Sequence, residues 1–400
     1  MDFKFQQTIS IRQATSGKES SSAVSMPYLP DDLLLNCLAR ISRLNYPTLS
    51  LVSKRFCSLL ASTELYETRR LLGSTESCPY FCIKSPGISK PHWFTLSRVP
   101  TRIPNPNSRW FTSCFGPCKI RTTRNRMVSV PSHSFSYPSR WTFTTIGFNI
   151  YMIGGYINRE PSSRVFVMDC RSHTWHEAPS MRVPRYRPLV SAVDGKIYVV
   201  EGCDCDPSDF MEFFDPKTQM WEHVPSPGAE IRGAYMVSSF ANEGNLYLAG
   251  EKSVIYKPKE QKWVVVKQGR HFGATSDSSC DIDNVEYCYT DGFGSGSSRR
   301  LEWYCTKRSS WITLKDLGQL PKLPKGKDCV RLETYGKNIA VFWEENVRAI
   351  GCTKKKKIWC AEIAIERRNK EEVCGKVEWC DVVLTVPKSC SFEQFIVATV

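Results

Sequence analysis

A motif that recurs about every 47 residues constrains the fold of this chain more than any other feature. Its marker is a short apolar run that ends in glycine, at Gly155, Gly202 and Gly250, with intervals of 47 and 48 residues. A second apolar run, a turn and a tryptophan follow each glycine, and the tryptophans are Trp175, Trp221 and Trp263. A unit of four short strands cannot bury its own faces, whereas units arranged around an axis bury the faces of their neighbours. The repeat therefore predicts a β-propeller.

The repeated glycines and tryptophans are expected to have distinct structural roles in such a ring. Glycine suits a strand end where the backbone bends or approaches a neighbour closely, and tryptophan suits the wedge between adjacent blades. We assign blade-structural roles to Gly154, Gly155, Gly202, Gly250, Trp175, Trp221, Trp263 and Trp311. Clear repeats cover about 147–192, 194–240 and 243–290, and degenerate repeats cover about 285–330 and 333–385.

The propeller predicted from these repeats occupies residues 141–400. Two strand-like runs near residues 80 to 96 add a ring-closing blade, which gives five or six blades in total. We expect N-terminal strands to pair with C-terminal ones, because an open ring leaves strand edges exposed. The Gly-Gly, Tyr and Trp positions of the repeats resemble the kelch repeat, and this resemblance implies a kelch-type β-propeller.

The second organised stretch of the chain, from Leu29 to Leu65, has the pattern of about three short helices. Pro30 suits the first turn of a helix, and the acidic residues that follow it favour the positive end of the helix dipole. Leu34, Leu38 and Ile41 then recur at helical spacing and form an apolar stripe. A module of about 40 residues rarely supplies a sufficient core alone, so it is expected to pack against a partner.

This stretch resembles the F-box in its Leu-Pro start, its acidic pair, its leucine-rich helix and the later Leu-x-x-Val-Ser-Lys-Arg-Phe segment. The F-box is expected to cover 26–72, and the resemblance implies docking onto the Skp-type adaptor of a cullin–RING ubiquitin ligase. The positions that it implies as adaptor-facing, or as supporting that face, are Leu29, Pro30, Leu34, Leu38, Leu49, Val52, Ser53 and Phe56. Without the family, an ordinary three-helix cap on the main domain remains an alternative. An F-box followed by kelch repeats is typical of plant F-box/kelch-repeat proteins.

The remaining segments and the composition limit where the protein works. Residues 1–25 are predicted to be a disordered leader, and 73–140 connecting strands and a loop that lead into the propeller. No run reaches the roughly 18 apolar residues of a spanning helix, so no membrane partner is expected. Many of the 18 cysteines lie in apolar strand-like runs, which favours a reduced compartment, the cytoplasm, the nucleus or both.

No catalytic or cofactor-binding motif is evident, and neither a metal nor another cofactor is expected. The leading hypothesis is a non-enzymatic substrate-recognition subunit of an SCF-type (Skp–cullin–F-box) ubiquitin ligase, whose propeller binds a target protein. A kelch scaffold without a ubiquitin role is the alternative. A nucleic-acid-binding propeller would explain the net charge of +14, but the basic residues are spread along the chain and nucleic acid is not expected as a partner. A basic rim for an acidic or phosphorylated target is predicted at Arg182, Arg185, Arg187 and Arg232.

Overall fold

Four short helices begin the part of the chain that the computed structural model describes. The described residues are 29–87, 90–100, 123–131, 138–203, 209–228, 236–266, 278–291, 299–305, 307–326, 329–347, 355–369 and 371–400. The predicted leader 1–25 and most of the predicted loop before residue 123 lie outside them. The helices are α1 (Asp31–Ala39), α2 (Tyr46–Leu49), α3 (Lys54–Leu60) and α4 (Thr63–Leu71), with a 3-10 turn at Arg43–Asn45.

Local side chains fix the starts of these helices. The Ser53 hydroxyl accepts a hydrogen bond from the Phe56 amide at 3.1 Å, and the Ser62 hydroxyl accepts one from the Leu65 amide at 3.4 Å. Each bond satisfies an amide that the first turn of a helix leaves without a partner. The helical module predicted from the sequence is therefore confirmed, with one more helix than the three expected.

Six four-stranded antiparallel sheets follow and form the blades of a propeller. Blade 1 consists of β26 (Ser391–Thr399), β1 (Ser77–Lys84), β2 (His92–Pro100) and β3 (Thr123–Ser129). Blade 2 consists of β4 (Thr142–Ile146), β5 (Asn149–Ile153), β8 (Val165–Asp169) and β9 (Thr174–Ala178), and the hairpin β6 (Tyr156–Ile157) and β7 (Glu160–Pro161) extends it. Blade 3 consists of β10 (Leu189–Val193), β11 (Lys196–Val200), β12 (Met211–Asp215) and β13 (Met220–His223).

The last three blades follow the same order from the centre outward. Blade 4 consists of β14 (Met236–Asn242), β15 (Asn245–Gly250), β16 (Ser253–Lys257) and β17 (Lys262–Val266). Blade 5 consists of β18 (Ser279–Ile282), β19 (Val285–Thr290), β20 (Arg300–Cys305) and β21 (Ser310–Thr313). Blade 6 consists of β22 (Val330–Tyr335), β23 (Asn338–Val347), β24 (Lys355–Asn369) and β25 (Glu372–Pro387). The fold class predicted from the sequence is confirmed, and the blade number is six.

The ring closes inside blade 1, where β26 pairs with β1 from Ser77 opposite Thr399 to Lys84 opposite Ser391. The predicted pairing of N-terminal with C-terminal strands is therefore confirmed. The propeller begins at Ser77, ahead of the predicted boundary at 141, and the strand-like runs near residues 80 to 96 belong to the ring-closing blade as expected. The repeat read from the sequence is also offset by one strand, since 147–192 contains the three outer strands of blade 2 and the first strand of blade 3.

Tryptophans pack between adjacent blades, as the repeat predicts. The indole N–H of Trp221 donates to the carbonyl of Pro179 at 2.7 Å, and that of Trp263 donates to the carbonyl of Pro225 at 3.0 Å. Each proline follows the outer strand of the preceding blade. Trp175 likewise contacts Trp93 of blade 1, with ring centres 5.6 Å apart, whereas Trp311 is only half-buried and contacts Tyr304 of its own blade.

The glycines allow close approach between connections. Gly155 has a φ of +90°, and a Cβ there would lie 2.5 Å from the carbonyl oxygen of Ser139. Gly202 has a φ of +75°, and a Cβ there would lie 2.4 Å from the carbonyl oxygen of Tyr186. Neither position tolerates a side chain without movement of the neighbouring backbone. Gly250, in contrast, lies opposite Met236 in the β14–β15 ladder of blade 4, beside a shift of register between Met236 and Ser238.

Candidate functional site

An exposed apolar surface lies at one end of the helical module. Leu29, Leu33, Leu51 and Val52 expose 41%, 56%, 76% and 63% of their surface. Arg55 brings this surface together, because its guanidinium donates to the Leu29 carbonyl and to the Asp31 carboxylate at the start of α1. The turn before α3 therefore lies beside the start of α1. We call Leu29, Pro30, Leu33, Leu51 and Val52 the apolar end surface.

The residues predicted to be adaptor-facing divide into an exposed group and a supporting group. Leu34 and Leu38 are 7% and 1% exposed and pack in a core with α4 and blade 1. Leu49 and Phe56 are half-buried against the same core. The exposed group is Leu29, Pro30, Val52 and Ser53.

Sequence reasoning missed Leu33 and Leu51 at this surface. Both are leucines that lie beside the helical apolar stripe rather than in it. The sequence did contain a signal for them. When the apolar stripe of a helix is already complete, the core does not need a further leucine, so that leucine is available for a surface.

A buried arginine in α4 holds the module together and ties it to the propeller. The guanidinium of Arg69 is 1% exposed and donates to the carbonyls of Ala39 and Ile41 at 3.1 and 2.9 Å, and to the Tyr46 hydroxyl at 3.0 Å. Its second amino group lies 3.3 Å from the carboxylate of Glu76, which immediately precedes β1. The backbone of Glu76 in turn exchanges two hydrogen bonds with Val400, at 2.7 and 2.8 Å. The module is therefore linked to the point where the ring closes.

A second arginine, Arg43, makes the contact with blade 2. Its guanidinium donates to the Cys170 carbonyl at 2.8 Å and lies 5.4 Å from the centre of the Tyr66 ring. The Tyr80 hydroxyl donates to the same carbonyl at 3.1 Å and lies 3.0 Å from Nε2 of His173 in the β8–β9 turn. Burial, with the nearby Arg43 charge, lowers the pKa of His173 to about 4, so this imidazole is neutral at neutral pH. These contacts fix the apolar end surface relative to the propeller.

The connections on the other face of the ring lie away from the helices. Successive strands of a blade are antiparallel, so the β8–β9 turn and the β5–β8 and β9–β10 connections leave on opposite faces. Arg182 and Arg187 are exposed in the β9–β10 connection, on this second face. Arg232 lies outside the described residues.

The predicted role of Arg185 in target binding is corrected by its burial. Arg185 is 0% exposed, and its Nε lies 3.1 Å from a carboxylate oxygen of Glu212, which is 2% exposed. The same guanidinium donates to the carbonyls of Glu201 and Asp209 at 2.8 and 2.6 Å. Arg185 therefore joins the β9–β10 connection to the β11–β12 connection from the buried side. An arginine in a loop is normally exposed, and the sequence does not reveal a counter-charge 27 positions away.

Within the described ranges, no three His, Cys, Asp or Glu side chains are grouped as metal ligands would be. None of the helices placed by the structure is long and apolar enough to cross a bilayer.

Comparison with known families identifies both parts of the chain. Residues 26–68 match the F-box domain, and residues 93–384 match the FKB95 kelch-repeats domain. The second match covers well over half of the chain and agrees with the propeller described above.

Three proteins of Arabidopsis thaliana that carry F-box/kelch-repeat names are similar over nearly their whole length. At4g11750 is 53% identical over 388 residues, which cover 94% of this chain and 99% of the relative. At4g11770 is 54% identical over 398 residues, 95% and 98% of the two chains, and At4g39550 is 45% identical over 374 residues, 92% of each. The solved structure of YjhT aligns with 71% of this chain and 91% of its own, at 11% identity and a TM-score of 0.42.

Proposed function

Because this chain belongs to the F-box/kelch-repeat protein family, we propose that it is a substrate-recognition subunit of an SCF-type ubiquitin ligase. Its F-box docks onto a Skp-type adaptor, and through it onto a cullin–RING ligase, while the propeller holds a target protein. The observation that carries this proposal is the apolar end surface, where four large apolar side chains are exposed at one end of the module. Exposed apolar groups of this kind mark sites of protein association.

The rigid junction supports a positioning role rather than a chemical one. Arg43 attaches the module to blade 2 through a part-buried hydrogen bond to Cys170, and Arg69 attaches it to blade 1 through an ion pair with Glu76. A target bound to the propeller is then held at a fixed distance from the docked adaptor. Holding two reactants in a defined geometry accelerates their reaction, and the receptor itself needs no catalytic group for this. We therefore propose that the chain is a non-catalytic subunit that acts in the cytoplasm, the nucleus or both.

We further propose that the apolar end surface supplies the direct adaptor contacts and that Leu34, Leu38, Leu49 and Phe56 support it from within. Truncation of a central residue of such an interface costs about 2 kcal/mol or more of binding free energy. The two roles have different consequences. Loss of an exposed contact weakens docking and leaves the fold intact, whereas loss of a supporting side chain destabilises the module itself.

Co-purification with a Skp-type adaptor tests this proposal, with point variants rather than removal of the module. Deleting residues 29–72 would expose the shared core of blades 1 and 2, and a truncated chain could fail for that reason alone. Val52→Glu is preferable because Val52 is 63% exposed, and Val237→Glu in blade 4 is its matched control at 61% exposure. We expect Val52→Glu to abolish co-purification and Val237→Glu to leave it unchanged.

The outcome separates the proposal from the scaffold alternative. If the wild-type chain does not retain the adaptor, or if Val52→Glu binds it as well as wild type does, the SCF role at this surface is wrong. A kelch scaffold without a ubiquitin role then becomes the leading interpretation.

A further inference from the structure

Three connections meet on the face of the propeller opposite the helices. The backbones of Ser139 and Tyr156 exchange two hydrogen bonds, at 2.7 and 2.9 Å, which joins the β3–β4 connection to the β6–β7 hairpin. The Tyr186 amide donates to the Gly202 carbonyl at 2.6 Å. The rings of Tyr156 and Tyr186 then stack, with centres 5.6 Å apart and planes inclined by 21°. The close approach at Gly155 and Gly202 is what permits this meeting.

Four exposed arginines lie on the same connections as the stacked tyrosines. They are Arg140, Arg159, Arg182 and Arg187, each on one of these connections or on the hairpin. We call these four arginines, with Tyr156 and Tyr186, the basic–aromatic patch. The guanidinium of Arg140 lies 6.0 Å from the centre of the Tyr156 ring.

These guanidinium groups differ from those of other arginines of the same region. Arg164 pairs with Glu177 at 2.7 Å, Arg171 pairs with Asp169 at 2.7 Å, and Arg185 pairs with Glu212. Among the residues that the structure describes, none of the four guanidinium groups of the patch pairs with a carboxylate. Their charge therefore remains available to a partner.

The backbone holds three of the four arginines in an unusual conformation. The φ values of Arg140, Arg159 and Arg187 are 57°, 71° and 51°, in the left-handed region that L-residues rarely occupy. At Arg159 this conformation belongs to the two-residue turn that joins β6 to β7, where a positive φ is usual. A fixed backbone also means that less conformational entropy is lost on binding.

The acidic neighbours do not neutralise the patch. Glu160 is exposed beside Arg159, but Glu212 is buried with Arg185, and a carboxylate oxygen of Glu201 accepts the Met236 amide at 3.2 Å. Among the residues that the structure describes, the patch therefore has an excess of positive charge, with four exposed arginines beside the exposed Glu160 and the half-buried Asp209. Guanidinium groups bind carboxylates through paired N–H donors, and tyrosine adds a rigid apolar surface next to them.

We propose that the basic–aromatic patch binds an acidic segment of the target protein. This inference rests on the proposed function in one respect, that the bound protein is the one held for ubiquitination. Asp and Glu carboxylates of the segment contact the guanidinium groups, and an apolar side chain beside them contacts the tyrosines. A single nucleic acid strand suits the patch less well, because each tyrosine already stacks on the other and leaves less ring surface for a base.

Fluorescence anisotropy with a labelled Asp/Glu-rich peptide tests the proposal on the purified chain. The control peptide has Asn and Gln in place of the acidic residues. The variants are Arg159→Glu with Arg187→Glu and, as an independent pair, Arg140→Glu with Arg182→Glu. The matched control, Lys217→Glu with Lys262→Glu, makes the same change in net charge at exposed residues of other blades. Melting temperature checks that each variant is folded.

We expect each patch variant to weaken binding of the acidic peptide about tenfold, and the lysine control less than about twofold, because charge contacts act mainly at short range in salt. The Asn/Gln peptide should not bind. Equal losses in patch and control variants would overturn the proposal, as would tighter binding of a labelled single-stranded DNA than of the acidic peptide at the same salt.

The test is independent of the adaptor experiment. A chain that retains the adaptor and fails to bind the peptide refutes only the patch. A chain that binds the peptide through the patch and fails to retain the adaptor refutes only the SCF role.

Discussion

Replacement of Glu212 by Gln is expected to destabilise the propeller strongly, because it leaves the guanidinium of Arg185 buried without a counter-charge. The two side chains are 2% and 0% exposed, with 3.1 Å between their nearest charged atoms. Removal of one partner of a buried ion pair costs about 3–5 kcal/mol of the free energy of unfolding. The total for a folded domain is about 5–15 kcal/mol, so this single change removes a large part of it.

A double-mutant cycle measures the interaction directly. Arg185→Met leaves a buried carboxylate and also removes the donors to the carbonyls of Glu201 and Asp209, so it too should be costly. In the variant with both Arg185→Met and Glu212→Gln neither charge remains. We expect the double variant to lose less than the sum of the single losses, by about 1–3 kcal/mol.

Urea unfolding followed by tryptophan fluorescence is a suitable assay, since Trp221 lies in the same blade as Glu212. Two results would refute the reasoning. One is a loss below about 1 kcal/mol in the free energy of unfolding for Glu212→Gln, which would mean that burial does not make the unpaired charge of Arg185 costly. The other is strict additivity of the two single changes.

Three further predictions follow from single sites. Gly155→Ala should lower the free energy of unfolding by about 2 kcal/mol, which is more than Gly147→Ala should. Both glycines have a positive φ, but only at Gly155 would the new Cβ meet a backbone oxygen, at 2.5 Å. Equal losses of the two variants in urea unfolding would contradict this. Leu38→Ala should cost about 2–5 kcal/mol and Leu33→Ala under about 1, since only Leu38 is buried, and thermal melts of the two variants decide it. The pKa of His173 is lowered from 6.5 to about 4, so the unfolded chain binds more protons than the folded chain in this range. The free energy of unfolding should therefore fall by about 2 kcal/mol as the pH drops from 6.5 towards 4. His173→Gln should flatten this pH profile, and an unchanged profile would refute the assignment.

The repeat predicted the blades well where its signal is local. Gly155, Gly202, Trp175 and Trp221 each act within one blade or against the preceding blade along the chain, and such contacts recur at a fixed spacing. Blade 1 has no such spacing, because its innermost strand, β26, comes from the other end of the described chain. The start of the propeller was therefore placed too late.

The candidate surfaces were predicted less completely, for two physical reasons. Periodicity identified an apolar stripe in α1 but did not separate Leu33 from Leu34, which are adjacent in sequence and lie on different sides of the helix. Charge alone suggested that Arg185 is exposed, whereas its environment depends on Glu212 in another strand. Both distinctions need the tertiary structure.

The pairing of β26 with β1 has a consequence for biosynthesis. The ribosome makes the helices and β1 first, and β26 about 300 residues later. Until residues 391–399 emerge, one edge of β1 lacks its partner, and Glu76, which anchors Arg69, lacks its bonds to Val400. In the nascent chain, the helical module therefore packs against a blade 1 that still lacks β26. Firm attachment of that module to blade 1 is therefore delayed until the ring is complete.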